Sequence, residues 1–203
     1  MVQVITVERE YGSLGAEYAR LLAKHLGWEL VDQTLVDEVA RRARVPAALA
    51  MHRDEQLDPW YNRVGRAFWH GSNERASTAL EQDIFDSKRM TDLIREVMEE
   101  KARAGKCVVV GRGAACVLHG MPGCFHVFVY ASTARKIRWF EQNFPDKAHL
   151  AERELQATDR RRAAYVQNFH GSVWNDYRLY HLMLNSCMGF DAMIGATIEA
   201  TGI

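Results

Sequence analysis

The chain has 203 residues and a hydrophobic content of 48%, which is enough for one domain with a sizeable core. Its 26 basic residues balance 26 acidic ones, so the formal net charge of zero indicates neither nucleic acid nor an anionic membrane as a partner. The four cysteines form no C-x-x-C pair and no histidine has zinc-finger spacing, which favours reduced thiols. Because the sequence shows no signal-peptide pattern and no run of about 18 apolar residues, we expect a cytoplasmic protein.

Residues 3–15 combine an apolar strand, a loop of small residues and the start of a helix. Apolar residues at helical spacing continue to Leu26, and Gly27 stands where a helix would end. The first N–H groups of a helix have no partner within it, and the helix dipole places partial positive charge there. This arrangement is typical of a phosphate-binding loop.

Three small residues of this loop are candidate phosphate contacts. Gly12 and Gly15 would let the backbone approach an anion, and Ser13 could cap the helix or donate its hydroxyl. A complete phosphate-binding motif reads G-x-x-x-x-G-K-[ST], but Gly15 stands at the lysine position and Glu17 near the hydroxyl position. The alternative is an ordinary strand-to-helix turn whose glycines serve tight packing.

A second short strand is predicted at residues 28–32, and it ends in Asp32. This acid either caps the next helix or, at the carboxyl end of a strand, binds a substrate or a metal. Residues 46–77 then mix aromatic and basic side chains, which either clamp a base and a phosphate or form a peripheral helical hairpin. A long helix is predicted from residue 76 to residue 104.

A strand is predicted at residues 106–110, and its continuous apolar run at 107–110 suits a central strand that is buried on both faces. It ends in Gly111, Arg112 and Gly113, and in a parallel sheet this end shares an edge with the first loop. The planar guanidinium group donates to phosphate bidentately. Arg112 is therefore predicted to bind a phosphate group.

Residues 125–130 predict a fourth strand, and Thr133 could cap the helix that follows it. The basic residues Arg135, Lys136 and Arg138 of that helix are expected to be solvated, although Arg135 lies near the strand end.

A charged helical pattern at residues 148–167 has two interpretations. It is either an exposed helix with internal ion pairs or a lid that brings arginines over transferring phosphates. The last strand is predicted at residues 179–184. The alternation of strands and helices predicts an α/β fold of three layers with a five-strand parallel sheet.

These stretches, taken together, resemble the cytidylate kinase-like family of the P-loop nucleoside monophosphate kinase superfamily. The matching segments cover nearly the whole chain in order: residues 9–15, 19–27, 108–113, 122–135, 159–162 and 176–186. The insertion at residues 54–77 is the least recognisable part.

The resemblance implies a single kinase-like domain over residues 1–203, with a helical acceptor-binding insertion at about 46–90 and a lid at about 148–177. It also implies transfer of the γ-phosphoryl group of ATP, with Mg²⁺, to CMP or dCMP. The expected partners are small nucleotides, with no nucleic acid and no membrane, and a homodimer stays open.

The resemblance carries over three sets of site residues. The catalytic set consists of Arg112, Arg161 and Arg162. The ATP-binding set consists of Arg9, Gly12, Ser13 and Gly15, and either Arg9 or a lid arginine would replace the missing lysine. The acceptor-binding set consists of Asp32 and Arg112, and no residue is assigned as a metal ligand.

Departures from the pattern of cytidylate kinases leave other functions open. The missing loop lysine and Glu17 motivate a regulator, and the altered acceptor motif motivates another acceptor. Leu14 replaces a loop glycine and is expected to disfavour a positive φ, which would narrow the phosphate site. Glu38 stands where an acceptor-binding arginine is expected. The alternatives to an active nucleotide kinase are a weak or inactive nucleotide-binding regulator and a kinase of another small acceptor.

Overall fold

The computed structural model describes residues 1–42 and 77–203. The predicted aromatic and basic segment at 46–77 therefore lies almost entirely outside the described residues, and so does most of the predicted insertion. The chain divides into two compact units, one of Met1–Asp32 with Met98–Ile203 and one of Gln33–Val97. None of the described helices combines the length and apolar character that crossing a lipid bilayer requires.

Five parallel strands form one sheet in the order β2-β3-β1-β4-β5. Their bounds are β1 Val4–Arg9, β2 Glu29–Val31, β3 Cys107–Val110, β4 Cys124–Tyr130 and β5 Leu182–Asn185. The predicted five-strand parallel sheet is confirmed. β5 begins three residues later than predicted, because Tyr177–Leu179 forms a 3₁₀ turn in which the Asp176 carboxylate accepts the backbone N–H of Arg178.

Seven α-helices accompany these strands in the described ranges. Their bounds are α1 Gly15–Leu26, α2 Gln33–Arg42, α3 Ser77–Ala104, α4 Ala114–Val117, α5 Thr133–Asn143, α6 Ala151–His170 and α7 Phe190–Thr201. The cap of α5 is Ser132, whose hydroxyl accepts from the backbone N–H of Arg135, so the predicted cap at Thr133 is wrong by one residue.

Side chains alternate between the two faces of the sheet and build a core on each. Ile5 and Val7 of β1 join Val127 and Val129 of β4 in a buried cluster with α1 and α7. The alternate residue Phe128 packs in a second cluster with residues of α6 and the loop after it. Helical segments therefore cover both faces, which gives the predicted three layers.

The second face of the sheet also carries a buried histidine. His126 is 2% exposed, its Nδ1 lies 2.9 Å from the Thr6 hydroxyl, and its ring stacks with that of His181. Burial, followed by the nearby His181 and His119, lowers the pKa of His126 from 6.5 to about 4. The folded protein therefore holds this imidazole neutral over a pH range in which the unfolded chain protonates it.

We expect this difference to destabilise the protein in acid. The stability that depends on a neutral His126 is fully present above pH 6.5. It is lost as the pH falls towards about 4, because only the unfolded state gains the proton in this range. The free energy of unfolding should fall by up to about 3 kcal/mol over this range for this reason. Urea unfolding of the protein and of His126→Asn across this range measures it. The asparagine variant should lose less stability in acid, and parallel curves for the two proteins would contradict the assignment.

Candidate functional site

The loop between β1 and α1 has a backbone conformation suited to an anion. Gly12 has φ 77° and Leu14 has φ 63°, so both lie in the left-handed region. Leu14 adopts a positive φ as the N-cap residue of α1, so the expectation that leucine would keep the loop out of this conformation is wrong. The N-cap residue Leu14 has no side chain that could accept a hydrogen bond from the first N–H groups of α1.

Ser13 does not cap α1 in this structure. It is fully buried, and its hydroxyl donates to the carbonyl oxygen of Glu10 at 2.8 Å. This bond closes the loop on itself and does not cap α1. Glu17, which lies near the hydroxyl position of the motif, forms an exposed ion pair with Arg20 at 2.6 Å.

The absence of a side chain at Gly15 permits the close packing between α1 and β1. A Cβ atom at this position would overlap the Cβ of Arg9 and would lie 3.0 Å from the Cβ of Val129. Both of these neighbouring atoms are attached directly to the backbone of sheet strands, so they cannot move aside without moving a strand. Gly15 is therefore required for packing, whatever else it contacts.

We expect Gly15→Ala to destabilise the protein by about 2 kcal/mol, because overpacking of a rigid site displaces backbone. Gly195→Ala in α7 is the matched control, since no atom lies within 4 Å of a Cβ built there. That control should be neutral or stabilising by up to about 1 kcal/mol. Chemical denaturation of both variants measures the difference, and an unchanged unfolding midpoint for Gly15→Ala would contradict the packing argument.

The loop after β3 holds three consecutive residues in the left-handed region. Gly111, Arg112 and Gly113 have φ values of 72°, 58° and 69°. This conformation is uncommon for arginine and aims its side chain at β2. The guanidinium donates to the backbone oxygen of Asp32 at 3.3 Å and lies 3.6 Å from the Asp32 carboxylate. The structure thus brings together the two residues predicted to bind the acceptor.

Arg9 links this loop to the first one. A Cβ atom at Gly111 would overlap Nη1 of Arg9, so the guanidinium of Arg9 lies directly against the backbone of Gly111. Arg162 of α6 donates to the backbone oxygen of Arg9 at 2.6 Å. Arg161 differs from its neighbour, because its guanidinium donates to the Thr158 hydroxyl on its own helix at 2.8 Å.

Sequence reasoning missed Glu8, a carboxylate that is 3% exposed near the end of β1. It accepts the backbone N–H of Gly113 at 2.9 Å and the indole N–H of Trp174 at 3.1 Å. Glu8 therefore fixes the loop that carries Arg112 and ties it to the segment after α6. An acid inside an otherwise apolar strand was the available signal.

A second missed group is a cluster of four charged side chains between the first loop, α5 and α6. Lys136 lies 3.0 Å from Glu10 and 3.3 Å from Asp159, and Arg162 lies 3.8 Å from Asp159. The Lys136 side chain is only 11% exposed, so the expectation that it would be solvated is wrong.

Asp159 also accepts the backbone N–H of Tyr11, a loop residue, at 2.7 Å. Burial raises the pKa of Asp159, while this hydrogen bond and the charges of Arg162 and Lys136 act in the opposite direction. The ring of Tyr11 lies under the Arg162 guanidinium, 5.7 Å from its carbon. The backbone of the first loop therefore binds the carboxylate of Asp159, which also lies close to the cations of Lys136 and Arg162.

The described residues suit phosphate groups better than a metal ion. Within residues 1–42 and 77–203, no group of three or more His, Cys, Asp or Glu side chains could hold a metal. The Ser13 hydroxyl, which could also ligate a metal, is fully buried. A Mg²⁺ ion would therefore have to be held mainly by nucleotide phosphates and water, as this ion commonly is. The cations and the uncapped helix start fit the nucleotide phosphates themselves.

Comparisons with solved structures show the fold that this site is built on. An uncharacterized protein from Eubacterium ventriosum has a TM-score of 0.70 at 19% identity, with 100% of this chain and 99% of that chain covered. Shikimate kinase from Bacteroides thetaiotaomicron has a TM-score of 0.55 at 15% identity, with 99% of each chain covered. The protein TT1252 from Thermus thermophilus has a TM-score of 0.55 at 14% identity, covering 98% and 97%. The fold is that of the P-loop kinases.

The sequence itself gives the family. None of the curated proteins matches it significantly. A family model described as the cytidylate kinase-like family matches residues 4–187, which is most of the chain. The predicted resemblance is confirmed. The chain is a P-loop kinase-like nucleotide-binding protein. The chain belongs to the cytidylate kinase-like family.

Proposed function

We propose that this protein transfers the γ-phosphoryl group of ATP to a nucleoside monophosphate of the CMP or dCMP type. The observation that carries the proposal is a continuous line of arginines along the carboxyl edge of the sheet. Arg162 contacts the backbone of Arg9, Arg9 lies against Gly111, and Arg112 follows directly. This line joins the loop suited to the donor phosphates with the loop suited to the acceptor phosphate.

In this proposal the chain acts mainly by positioning and by charge stabilisation, which dominate phosphoryl transfer. The loop of residues 10–15 and the start of α1 hold the donor phosphates. Arg112 holds the acceptor phosphate, oriented by Asp32. Arg9 and Arg162 stabilise the charge that develops between donor and acceptor. Bound Mg²⁺ would neutralise part of the phosphate charge.

Residues 148–177 would supply a lid in this proposal, because α6 carries Arg162 to the loop. Arg161 would join the site only after leaving Thr158, to which it donates in this structure. The acceptor-binding insertion at 46–90 would complete the acceptor side.

Two observations favour other functions strongly enough to test. The Asp159 carboxylate already accepts an N–H of the first loop, which suits a nucleotide-binding regulator with weak catalysis. Glu38, at a position where an acceptor-binding arginine is expected, pairs with Arg41 and Arg42 of its own helix at 2.7 and 2.6 Å. This pairing suits a kinase whose acceptor is not a nucleotide.

The test is ADP formation from ATP and Mg²⁺ with a panel of acceptors. The panel contains CMP, dCMP, UMP, AMP and GMP, together with shikimate because one structural neighbour is a shikimate kinase. We expect ADP formation above the acceptor-free rate with CMP or dCMP. A rate increase with shikimate alone would favour the other-acceptor function. No increase with any member, combined with measurable ATP binding, would favour the regulator.

A further inference from the structure

We propose that Lys136 of α5 is the lysine that binds the nucleotide polyphosphate, in place of the lysine absent from the loop, and that Asp159 holds its position until nucleotide enters. The inference rests on the proposed function, since it assigns a residue to the donor side of the same site. Entry of the polyphosphate would displace the Asp159 carboxylate from the loop.

Lys136 lies beside the loop between β1 and α1. Its ammonium group lies 3.0 Å from the carboxylate of Glu10, which is the first residue of the loop. A Cβ at Gly12 would lie 3.3 Å from the Cβ of Lys136, so the loop backbone packs directly against this part of α5. A lysine on a neighbouring helix thus reaches the loop that lacks one of its own.

A backbone N–H group and two cationic side chains surround the carboxylate of Asp159. This carboxylate accepts hydrogen bonds from the backbone N–H of Tyr11 at 2.7 Å and from the ammonium of Lys136 at 3.3 Å. The guanidinium of Arg162 lies 3.8 Å away, within ion-pair distance. A loop N–H, a lysine and an arginine are also the groups that bind phosphate oxygens in kinases. Asp159 therefore occupies an anion position that the surrounding residues create.

The charges of this cluster also suit an incoming phosphate. Glu10 and Asp159 balance Lys136 and Arg162, so the closed cluster has no net charge. A phosphate that replaces Asp159 would keep the buried cations paired, which avoids the large cost of an isolated buried charge. Replacing Asp159 with a neutral residue leaves a net positive cluster and should favour anions.

A purely structural ion-pair network makes different predictions from this account. In such a network, removing Lys136 would lower the stability of the protein. It would not weaken the binding of polyphosphates more than that of other ligands. The polyphosphate assignment predicts that removing Lys136 weakens ATP and inorganic tripolyphosphate similarly, while CMP, held at Arg112, binds as before. The comparison of these three ligands therefore separates the two interpretations.

The experiment is calorimetric titration of the full chain with ATP, tripolyphosphate and CMP at one pH and one salt concentration. The variants are Lys136→Met, Lys136→Arg and Asp159→Asn, and Lys24→Met is the matched control because Lys24 is exposed near the end of α1. Lys136→Met should weaken ATP and tripolyphosphate by at least about tenfold, Lys136→Arg should retain part of the affinity, and Lys24→Met should stay within about twofold. Asp159→Asn should bind both probes several-fold more tightly.

Thermal unfolding of each variant shows whether it is folded. If Lys136→Met does not fold, the affinities of Lys136→Arg and Asp159→Asn still test the inference. Unchanged ATP affinity in Lys136→Met, or weaker binding in Asp159→Asn, would overturn the inference and leave the proposed function intact. If neither the unmodified protein nor Asp159→Asn binds ATP or tripolyphosphate, the inference and the proposed function both fail. Binding by Asp159→Asn alone would support the displacement strongly.

Discussion

Replacement of Arg112 by alanine is expected to lower kcat/KM for the nucleoside monophosphate by about a thousandfold while the affinity for ATP stays within about twofold. Arg112 is the cation of the loop after β3, and its partner Asp32 lies on the acceptor side of the proposed site. The variant would lose both the charge and the bidentate geometry that fix the acceptor phosphate. Steady-state kinetics with a separate ATP titration measures the two effects independently.

The backbone of Arg112 requires a second variant as a control. Its φ of 58° is strained for alanine but tolerated by asparagine, which also removes the guanidinium. Arg112→Asn should therefore lose as much activity as Arg112→Ala while costing less stability. Arg161→Gln, which removes a guanidinium bound to Thr158, should lower turnover less. Turnover by Arg112→Ala equal to that of the unmodified protein would remove Arg112 from the mechanism.

Replacement of Glu8 by alanine is expected to cost about 3 kcal/mol in the free energy of unfolding. The change leaves the N–H of Gly113 and the indole N–H of Trp174 buried without their acceptor. It also releases the loop that carries Arg112, so turnover should fall in the fraction that stays folded. Urea denaturation measures the stability, and kinetics well below the unfolding midpoint measures the activity.

A double-mutant cycle tests the same geometry more closely. In Glu8→Gln the amide oxygen can still accept from Gly113, but its NH₂ group then faces the indole N–H of Trp174. Trp174→Phe removes that opposing donor. The double variant should therefore be more stable than the sum of the single changes predicts. Simple additivity would contradict the assignment of Glu8 as the shared acceptor.

The fold was predictable because its signals are local and agree with one another. The β-branched run at residues 4–7 and the continuous apolar run at residues 107–110 predict central strands. The glycines at 27 and 105 mark where α1 and α3 end. Alternation of strands and helices then leaves few topologies. The start of β5 was missed because Asp176 forms a local turn that competes with strand extension.

Part of the site was predictable from position alone. Arg112 and Asp32 follow neighbouring parallel strands, β3 and β2, so the sheet brings their side chains to one edge. The left-handed conformation of Leu14 was not predictable from residue type, because tertiary packing of the loop decides it.

The charged cluster was missed because lysine and aspartate are usually solvated. The helical spacing nevertheless contained a signal. Lys136 stands four residues before the buried Phe140, and Asp159 stands four residues after the buried Leu155. Both charges therefore lie on the apolar faces of α5 and α6, where a charged residue needs a partner. The ion-pair partners of Lys136 and Asp159 depend on how α5 and α6 pack against the loop. The spacing of residues in the sequence does not specify this packing.

The most direct test of the central claim is transfer of label from [γ-³²P]ATP to CMP or dCMP, with the nucleotides separated and counted. The account predicts labelled CDP or dCDP in an amount equal to the ADP formed, and loss of that label with Arg112→Ala. Release of labelled inorganic phosphate without a labelled nucleoside diphosphate, or no loss of ATP at all, would contradict the assignment as a nucleoside monophosphate kinase.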